Sequence, residues 1–265
     1  MRMLAGVAGQ PIAHSLSPLI HRAWIAAAGL DADYRAFGPA DAAAFADLVE
    51  AGRRGELRGL NVTAPFKEQA LALADEASEA ARTCGSANLL LFERGRVRAD
   101  STDGFGLMAA LAEQAPCLDV RGGPVVVLGA GGAARAAAAA LKGAGAEVGV
   151  LNRTVERARA LAEDLGVAVI DAGAPGDAVL VVNALSVPPA IDLTGMRPDA
   201  VLMDMTYRPL VTPFLAEGRT RGLTTVDGLA MLIGQARPSF RALFGRDPPD
   251  IDVRTAALAA LGATA

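Results

Sequence analysis

The chain has 265 residues, of which 52% are hydrophobic and 20% charged, with a formal net charge of −4. That is enough apolar material for one large or two modest cores and too little charge for a disordered chain. The acidic balance argues against nucleic acid or an anionic membrane as the main partner.

In chain order, "MLAGVAG" (3–9) reads as a strand and "SPLIHRAWIAAAG" (17–29) as a helix, with Ser17 as N-cap, Pro18 in the first turn and Gly29 as the stop. "ADYRAFG" (32–38) is a strand, "ADAAAFADLVEAG" (40–52) a helix and "LRGLNV" (57–62) a strand. Residues 67–83 read as a helix with a break, 87–99 as a hairpin turning near Glu93 to Gly95, and 102–114 as a helix. A second series follows: strand, glycine turn, helix and strand over 124–154, then a helix over 155–166. "AVLVVNAL" (178–185) and "AVLMDMTY" (200–207) are near-continuous apolar strands, the pattern of a sheet covered on both faces. Residues 223–245 begin as a strand and become a helix, and 252–262 form a last helix. No element is predicted over 208–222. Repeated strand–helix units predict an α/β fold with parallel sheets and right-handed crossovers. The expected division is 1–104 plus 229–265 for one domain and 105–228 for the other.

No apolar run approaches the ~20 residues of a membrane span. The short apolar run and early proline of "MRMLAGVAGQPIAHS" argue against a signal peptide. Cys84 and Cys117 lie far apart with no CxxC and read as reduced thiols of a cytoplasmic protein; no metal site is expected.

"VVVLGAGGAA" (125–134) sets Gly129, Gly131 and Ala134 at G-x-G-x-x-A spacing between a strand and a helix. The first glycine permits a tight turn, the second lets backbone approach a pyrophosphate, and the small third residue lets the helix pack on the strand. The helix start then offers N–H groups to the phosphates. The next strand ends at Asn152-Arg153-Thr154, where NAD-binding folds usually carry a carboxylate for the ribose 2′-hydroxyl. A guanidinium there suits a 2′-phosphate instead, and Arg157 lies one helical turn beyond Arg153. The pattern predicts NADP(H) rather than NAD(H).

Of the 25 basic residues only two, Lys67 and Lys142, are lysines. Arginine serves as well on a solvated surface but cannot gain and lose a proton. Lys142 sits in the last turn of a predicted helix, where any cation suits the dipole. Lys67 stands at a helix start, where the dipole disfavours it, so proton transfer or substrate binding is the expected reason for its presence. Around it are neutral hydrogen-bonding groups: Ser15, Ser17, Asn61, Thr63 and Asn88, with Asp100, Thr102 and Asp103. Singly each has a structural reading as a cap or turn former. Together, at predicted strand ends, they suit a small polyhydroxylated ligand.

The chain resembles the shikimate dehydrogenase family, which includes quinate/shikimate dehydrogenases. The resemblance runs nearly end to end, through "GQPIAHSLSPLIH" (9–21), "NVTAPFKEQA" (61–70), "DSTDGFG" (100–106), "LGAGGAAR" (128–135), "NRT" (152–154), "DMTYRPLVTPFL" (204–215) and "DGLAMLIGQA" (227–236). It implies an α/β substrate domain and an NADP-binding Rossmann domain flanking a cleft, with the C-terminal helices returning to the first. It implies reversible reduction of 3-dehydroshikimate to shikimate with NADP(H), a step of aromatic amino-acid (chorismate) biosynthesis.

By the same resemblance Lys67 and Asp103 are the catalytic pair, and Ser15 and Ser17 bind the substrate carboxylate. Asn61, Thr63, Asn88, Tyr207 and Gln235 are further substrate contacts. Gly129, Ala130, Gly131, Gly132, Ala133, Asn152, Arg153, Thr154, Met205 and Gly228 meet the cofactor. The chain departs from the family's usual residues at Leu89, Ser101 and Leu185. The expected partner is a shikimate-like hydroxylated cyclic carboxylate, with no nucleic acid and no membrane; a homodimer is left open. The alternatives are a quinate/shikimate or related dehydrogenase with a shifted substrate, another NADP reductase, and a non-catalytic NADP(H)-binding sensor.

Overall fold

The computed structural model describes residues 2–170 and 175–262. The first half of the chain runs β1 (Met3–Ala8), α1 (Ser17–Ala27), β2 (Ala32–Phe37), α2 (Ala42–Arg53), β3 (Gly59–Val62), α3 (Lys67–Ala72), β4 (Glu76–Ala77), α4 (Glu79–Cys84), β5 (Leu89–Glu93) and β6 (Arg96–Asp100). These strands form one sheet in the order β2-β1-β3-β5-β6-β4. β1, β2 and β3 are parallel, whereas β5 runs antiparallel to both β3 and β6. The hairpin between β5 and β6 turns on Arg94 (φ 52°) and Gly95 (φ 76°). Two successive left-handed residues give a turn whose twist matches the strands it joins.

Side chains alternate across this sheet. Leu60, Val62, Leu90, Phe92, Val97 and Ala99 pack with Phe45 and Val49 of α2. The register sets Tyr34, Asn61 and Leu89 on the other face. There, a buried aromatic group gathers His21 and Trp24 of α1 with Tyr34.

The remainder runs α5 (Asp103–Gln114), β7 (Pro124–Leu128), α6 (Gly132–Gly143), β8 (Glu147–Leu151), α7 (Val155–Leu165), β9 (Ala168–Val169), β10 (Leu180–Asn183), β11 (Val201–Asp204), α8 (Pro213–Thr220), β12 (Thr224–Val226), α9 (Gly228–Phe244) and α10 (Val253–Leu261). Its sheet is wholly parallel in the order β12-β11-β10-β7-β8-β9. Numbered from β7, this is the doubly wound order of dinucleotide-binding folds. Val125, Val127, Leu180 and Val182 pack under the alanines of α6. Val126, Leu128, Val181 and Leu202 meet Phe214 and Leu215 of α8. Both faces are therefore covered, as the uninterrupted apolar strands predict.

The chain divides into two compact units, Met1–Thr102 with Gln235–Ala265, and Asp103–Gly234. The divisions fall at the first residue of α5 and inside α9, rather than at 104/105 and 228/229.

Three local expectations change. Residue 16, not Ser17, caps α1: Ser17 is already helical, and its N–H takes the hydroxyl of Ser15 at 3.3 Å. The break expected within 67–83 is strand β4, after which Ser78 caps α4 through the N–H of Ala81. The unassigned 208–222 segment contains α8, started by Thr212, whose hydroxyl accepts from the N–H of Leu215, and by Pro213 in its first turn.

Candidate active site

In the first unit one sheet edge collects the polar residues. Parallel β1 and β3 bring their carboxyl ends side by side, Ala8 beside Val62. The chain leaving β1 carries Ser15 and Ser17, and the chain leaving β3 carries Thr63 and Lys67. The N–H of Thr63 donates to Ala8, and that of Gln10 to Ala64, so the two loops are laced together. A Cβ on Gly9 would lie 2.3 Å from the Thr63 methyl, so only glycine lets them come this close. Asn88 sits at the amino end of β5. Because β5 is antiparallel, that end falls on the same edge, with Leu89 opposite Asn61 and Asp100. Thus the carboxyl ends of β1, β3 and β6 and the amino end of β5 meet. Lys67 is half-buried at the first position of α3, and the Ala64–Pro65 peptide before it is cis.

Behind this edge lies a buried hydrogen-bond network. Tyr34 Oη donates to Asn61 Oδ1 at 2.8 Å. Asn61 Nδ2 donates to the Asn88 carbonyl (3.1 Å) and to Ser239 Oγ (2.9 Å). The Thr102 N–H donates to Asn88 Oδ1 at 2.8 Å, and Asn88 Nδ2 donates to Thr102 Oγ1 (3.0 Å) and Gln235 Oε1 (3.3 Å). Burial pushes the Tyr34 phenol well above its usual range, so it stays a donor. The amide hydrogens of Asn61 and Asn88 are therefore directed at protein partners. Sequence reasoning placed Thr102 in the polar group without a role and missed Tyr34 and Ser239. Ser239 lies 178 residues from Asn61, and no local pattern joins them. Leu89, one of the departures from the family's usual residues, is fully buried in this sheet.

The second unit gathers the other residues at the carboxyl edge of its parallel sheet. After β7 the backbone turns at Gly129 with φ +119°, a conformation other residues rarely adopt. A Cβ there would meet Leu185 Cδ2 at 3.3 Å, so the turn following β10 packs on it at the point where the strand order reverses. A Cβ on Gly131 would meet nothing within 4 Å: that glycine faces open space at the cap of α6. Ala130, Gly132 and Ala133 are partly exposed beside it. After β8, Asn152 Nδ2 donates to the Thr154 carbonyl at 2.9 Å. Thr154 is the N-cap of α7 by position, but its side chain makes no capping bond. Arg153 and Arg157 are exposed, and neither forms an ion pair among the described residues. An open glycine turn at a helix start, with two unengaged guanidiniums at the next strand end, fits a phosphorylated dinucleotide.

Met205 and Tyr207 follow β11. The buried Asp204 carboxylate holds that segment, accepting from Asn183 Nδ2 (3.0 Å), Thr212 Oγ1 (2.7 Å) and the Thr206 N–H (2.9 Å). Gly228 lies where a Cβ would come within 2.6 Å of the Met205 carbonyl. Lys142, expected to serve its own helix, instead reaches the end of α7, donating to the carbonyls of Leu165 and Gly166. Asp103 is buried at the first position of α5.

Residues 7–90 match the family described as Shikimate dehydrogenase substrate binding domain, and residues 110–175 match Shikimate / quinate 5-dehydrogenase. A Shikimate dehydrogenase (NADP(+)) of Caulobacter vibrioides is 53% identical, over 98% of this chain and 96% of its own. The chain belongs to the shikimate dehydrogenase family. Among solved structures, the shikimate 5-dehydrogenase of Thermus thermophilus, in complex with NADP(H) and shikimate, superposes with a TM-score of 0.90 at 38% identity, over 97% of this chain and 99% of that one. The quinate dehydrogenase of Corynebacterium glutamicum, in complex with NAD, gives 0.87 at 30% identity over 97% and 99%. Family membership agrees with the mixed sheet of the first unit and the doubly wound sheet of the second. Among the described residues no helix is long and apolar enough to cross a membrane.

Proposed function

We propose that the chain catalyses the reversible NADP(H)-linked interconversion of shikimate and 3-dehydroshikimate, a step of aromatic amino-acid biosynthesis. The observation that carries this reading is the polar edge of the first sheet. There the loops bearing Ser15, Ser17, Thr63 and Lys67 gather over the Asn61–Asn88–Thr102–Gln235 network. The 53% identity to a Shikimate dehydrogenase (NADP(+)) supports the choice of substrate.

In this reading Ser15 and Ser17 bind the substrate carboxylate. Thr63, Tyr207 and Gln235 bind its other polar groups. Asn61 and Asn88, whose amide hydrogens already serve protein partners, offer oxygen lone pairs and orient their neighbours. The glycine turn at 129–133 cradles the pyrophosphate of the cofactor, and Arg153 and Arg157 take its 2′-phosphate. Asn152, Thr154, Met205 and Gly228 line the rest of the cofactor's path. NADP(H), when bound, supplies or accepts the hydride.

Lys67 takes the proton of the substrate alcohol as it becomes a ketone and returns it in the reduction, an exchange guanidinium cannot perform. Asp103 is its carboxylate partner in turnover, holding the ammonium in orientation. Cys84 and Cys117, neither in a disulfide, suit a cytoplasmic enzyme.

The test is NADP⁺ reduction with shikimate and with quinate side by side. Turnover of shikimate at the higher kcat/KM is the expected result. Preference for quinate would shift the substrate within the family. Tight NADPH binding with turnover of neither would favour a sensor.

A further inference from the structure

We infer that Ser239 is a positioning residue for the substrate site: its buried hydroxyl ties the turn of α9 that carries Gln235 to Asn61 of β3. The inference rests on the function proposed above.

Two backbone groups anchor the chain, because their chemistry leaves no choice. The Thr102 N–H only donates, so the Asn88 atom 2.8 Å away is its oxygen. The Asn88 amide nitrogen must then face Thr102 Oγ1 and Gln235, which places the Gln235 oxygen towards Asn88 and turns its NH₂ group away. At the other end the Asn88 carbonyl only accepts, so the Asn61 atom 3.1 Å away is its nitrogen and the Asn61 oxygen faces Tyr34.

Between these anchors stands Ser239, with no exposed surface. Its oxygen takes an N–H of Asn61 at 2.9 Å and gives its own proton to the main-chain carbonyl of Gln235 at 3.0 Å, one turn back on α9. With that proton committed, Thr102 is the donor in the 3.3 Å contact between their hydroxyls. Ser239 thus ties Gln235 on α9 to the end of β3 and offers Thr102 a further acceptor. Without it, Asn61 keeps an unmatched N–H, and the Thr102 proton is shared by the Asn88 and Gln235 oxygens alone. The turn of α9 that carries Gln235 is then no longer tied to Asn61, and the carboxamide can shift from its place against Asn88. A displaced carboxamide meets the ligand less well.

Steady-state kinetics of Ser239→Ala, Gln235→Ala and the double variant test this. Ser239→Ala is expected to raise KM for shikimate about tenfold, the scale of one net hydrogen bond, with KM for NADP⁺ unchanged. In the Gln235→Ala background the same change should add almost nothing, because it acts through Gln235. Leu243→Ala, a core truncation on the same helix, serves as the control and should lower the melting temperature with KM unchanged. A wild-type KM in Ser239→Ala, additive effects in the double variant, or the same KM rise in Leu243→Ala would overturn the inference. Failure of the wild-type chain to oxidise shikimate would instead overturn the function on which it rests, so the two failures are distinct.

Discussion

His21 lies flat against Tyr34, with ring centroids 4.0 Å apart and planes within 5°. Neither imidazole nitrogen has a hydrogen-bond partner among the described residues, and burial lowers the pKa of His21 to about 3. The rings around it are those of Trp24, Tyr34 and Phe240. The folded state thus needs this group neutral, while the unfolded chain protonates it near 6.5.

The sign follows directly. Above pH 6.5 both states are neutral and nothing is lost. From there down towards 3 the unfolded state binds a proton that the folded state refuses, so stability falls as pH falls. His21→Phe removes the penalty and forfeits no hydrogen bond. Urea unfolding at pH 7 and pH 5 should show the wild type losing about 2 kcal/mol more than the variant over that interval. Equal losses would contradict the assignment of the acid sensitivity to His21.

Gly129 and Gly131 should respond differently to the same added methyl group. At Gly129 the left-handed φ and the nearby Leu185 make alanine a strained choice, so Gly129→Ala should lower the melting temperature and weaken cofactor binding together. At Gly131 a methyl has room in the protein itself, so Gly131→Ala should melt like the wild type. It should still bind NADPH less tightly, because the methyl fills the space that the proposed function gives to the pyrophosphate. Calorimetry with and without NADPH reads both effects; unchanged NADPH affinity in Gly131→Ala would remove that glycine from the cofactor site.

Arg153→Ala should raise KM for NADP⁺ by about 10- to 100-fold, the value of one or two charge-assisted hydrogen bonds, and leave KM for NAD⁺ almost untouched. Arg153 engages no acidic side chain among the described residues, so the variant breaks no ion pair there. Steady-state kinetics with both cofactors decide it. An equal change for each would mean that the guanidinium does not recognise the 2′-phosphate.

Local rules made the second unit the more legible. The apolar strands, the glycine turn and the Asn152-Arg153-Thr154 strand end each lie within a short window. The Thr212-Pro213 start of α8 is equally local, but the segment before it carries no periodicity to mark it. The first unit depended on distant pairing. That β5 is antiparallel, bringing Asn88 beside the end of β3, follows from a hairpin whose other neighbour is fixed only by the fold. The directions of the Asn61 and Asn88 amides depend on Thr102 and on Ser239 of α9, remote in the chain. Ser17 misled because a serine before proline is the usual cap signal, whereas here the hydroxyl of Ser15 serves the N–H of Ser17. Lys142 had the expected structural role but at the neighbouring helix, since a long side chain reaches the end of α7.

Lys67 and Lys142 are the only lysines, and their expected responses to arginine differ. Lys142 supplies only a cation to carbonyl oxygens, which a guanidinium also does. In the proposed function Lys67 exchanges a proton. The most direct measurement is therefore the initial rate of NADP⁺ reduction by shikimate for the wild-type chain and for Lys67→Arg. The expected result is turnover by the wild type and a loss of about 10²–10⁴-fold in kcat for the variant, the usual worth of general acid–base catalysis. A Lys67→Arg enzyme running near the wild-type rate, or a wild-type chain that leaves shikimate unoxidised, would contradict it.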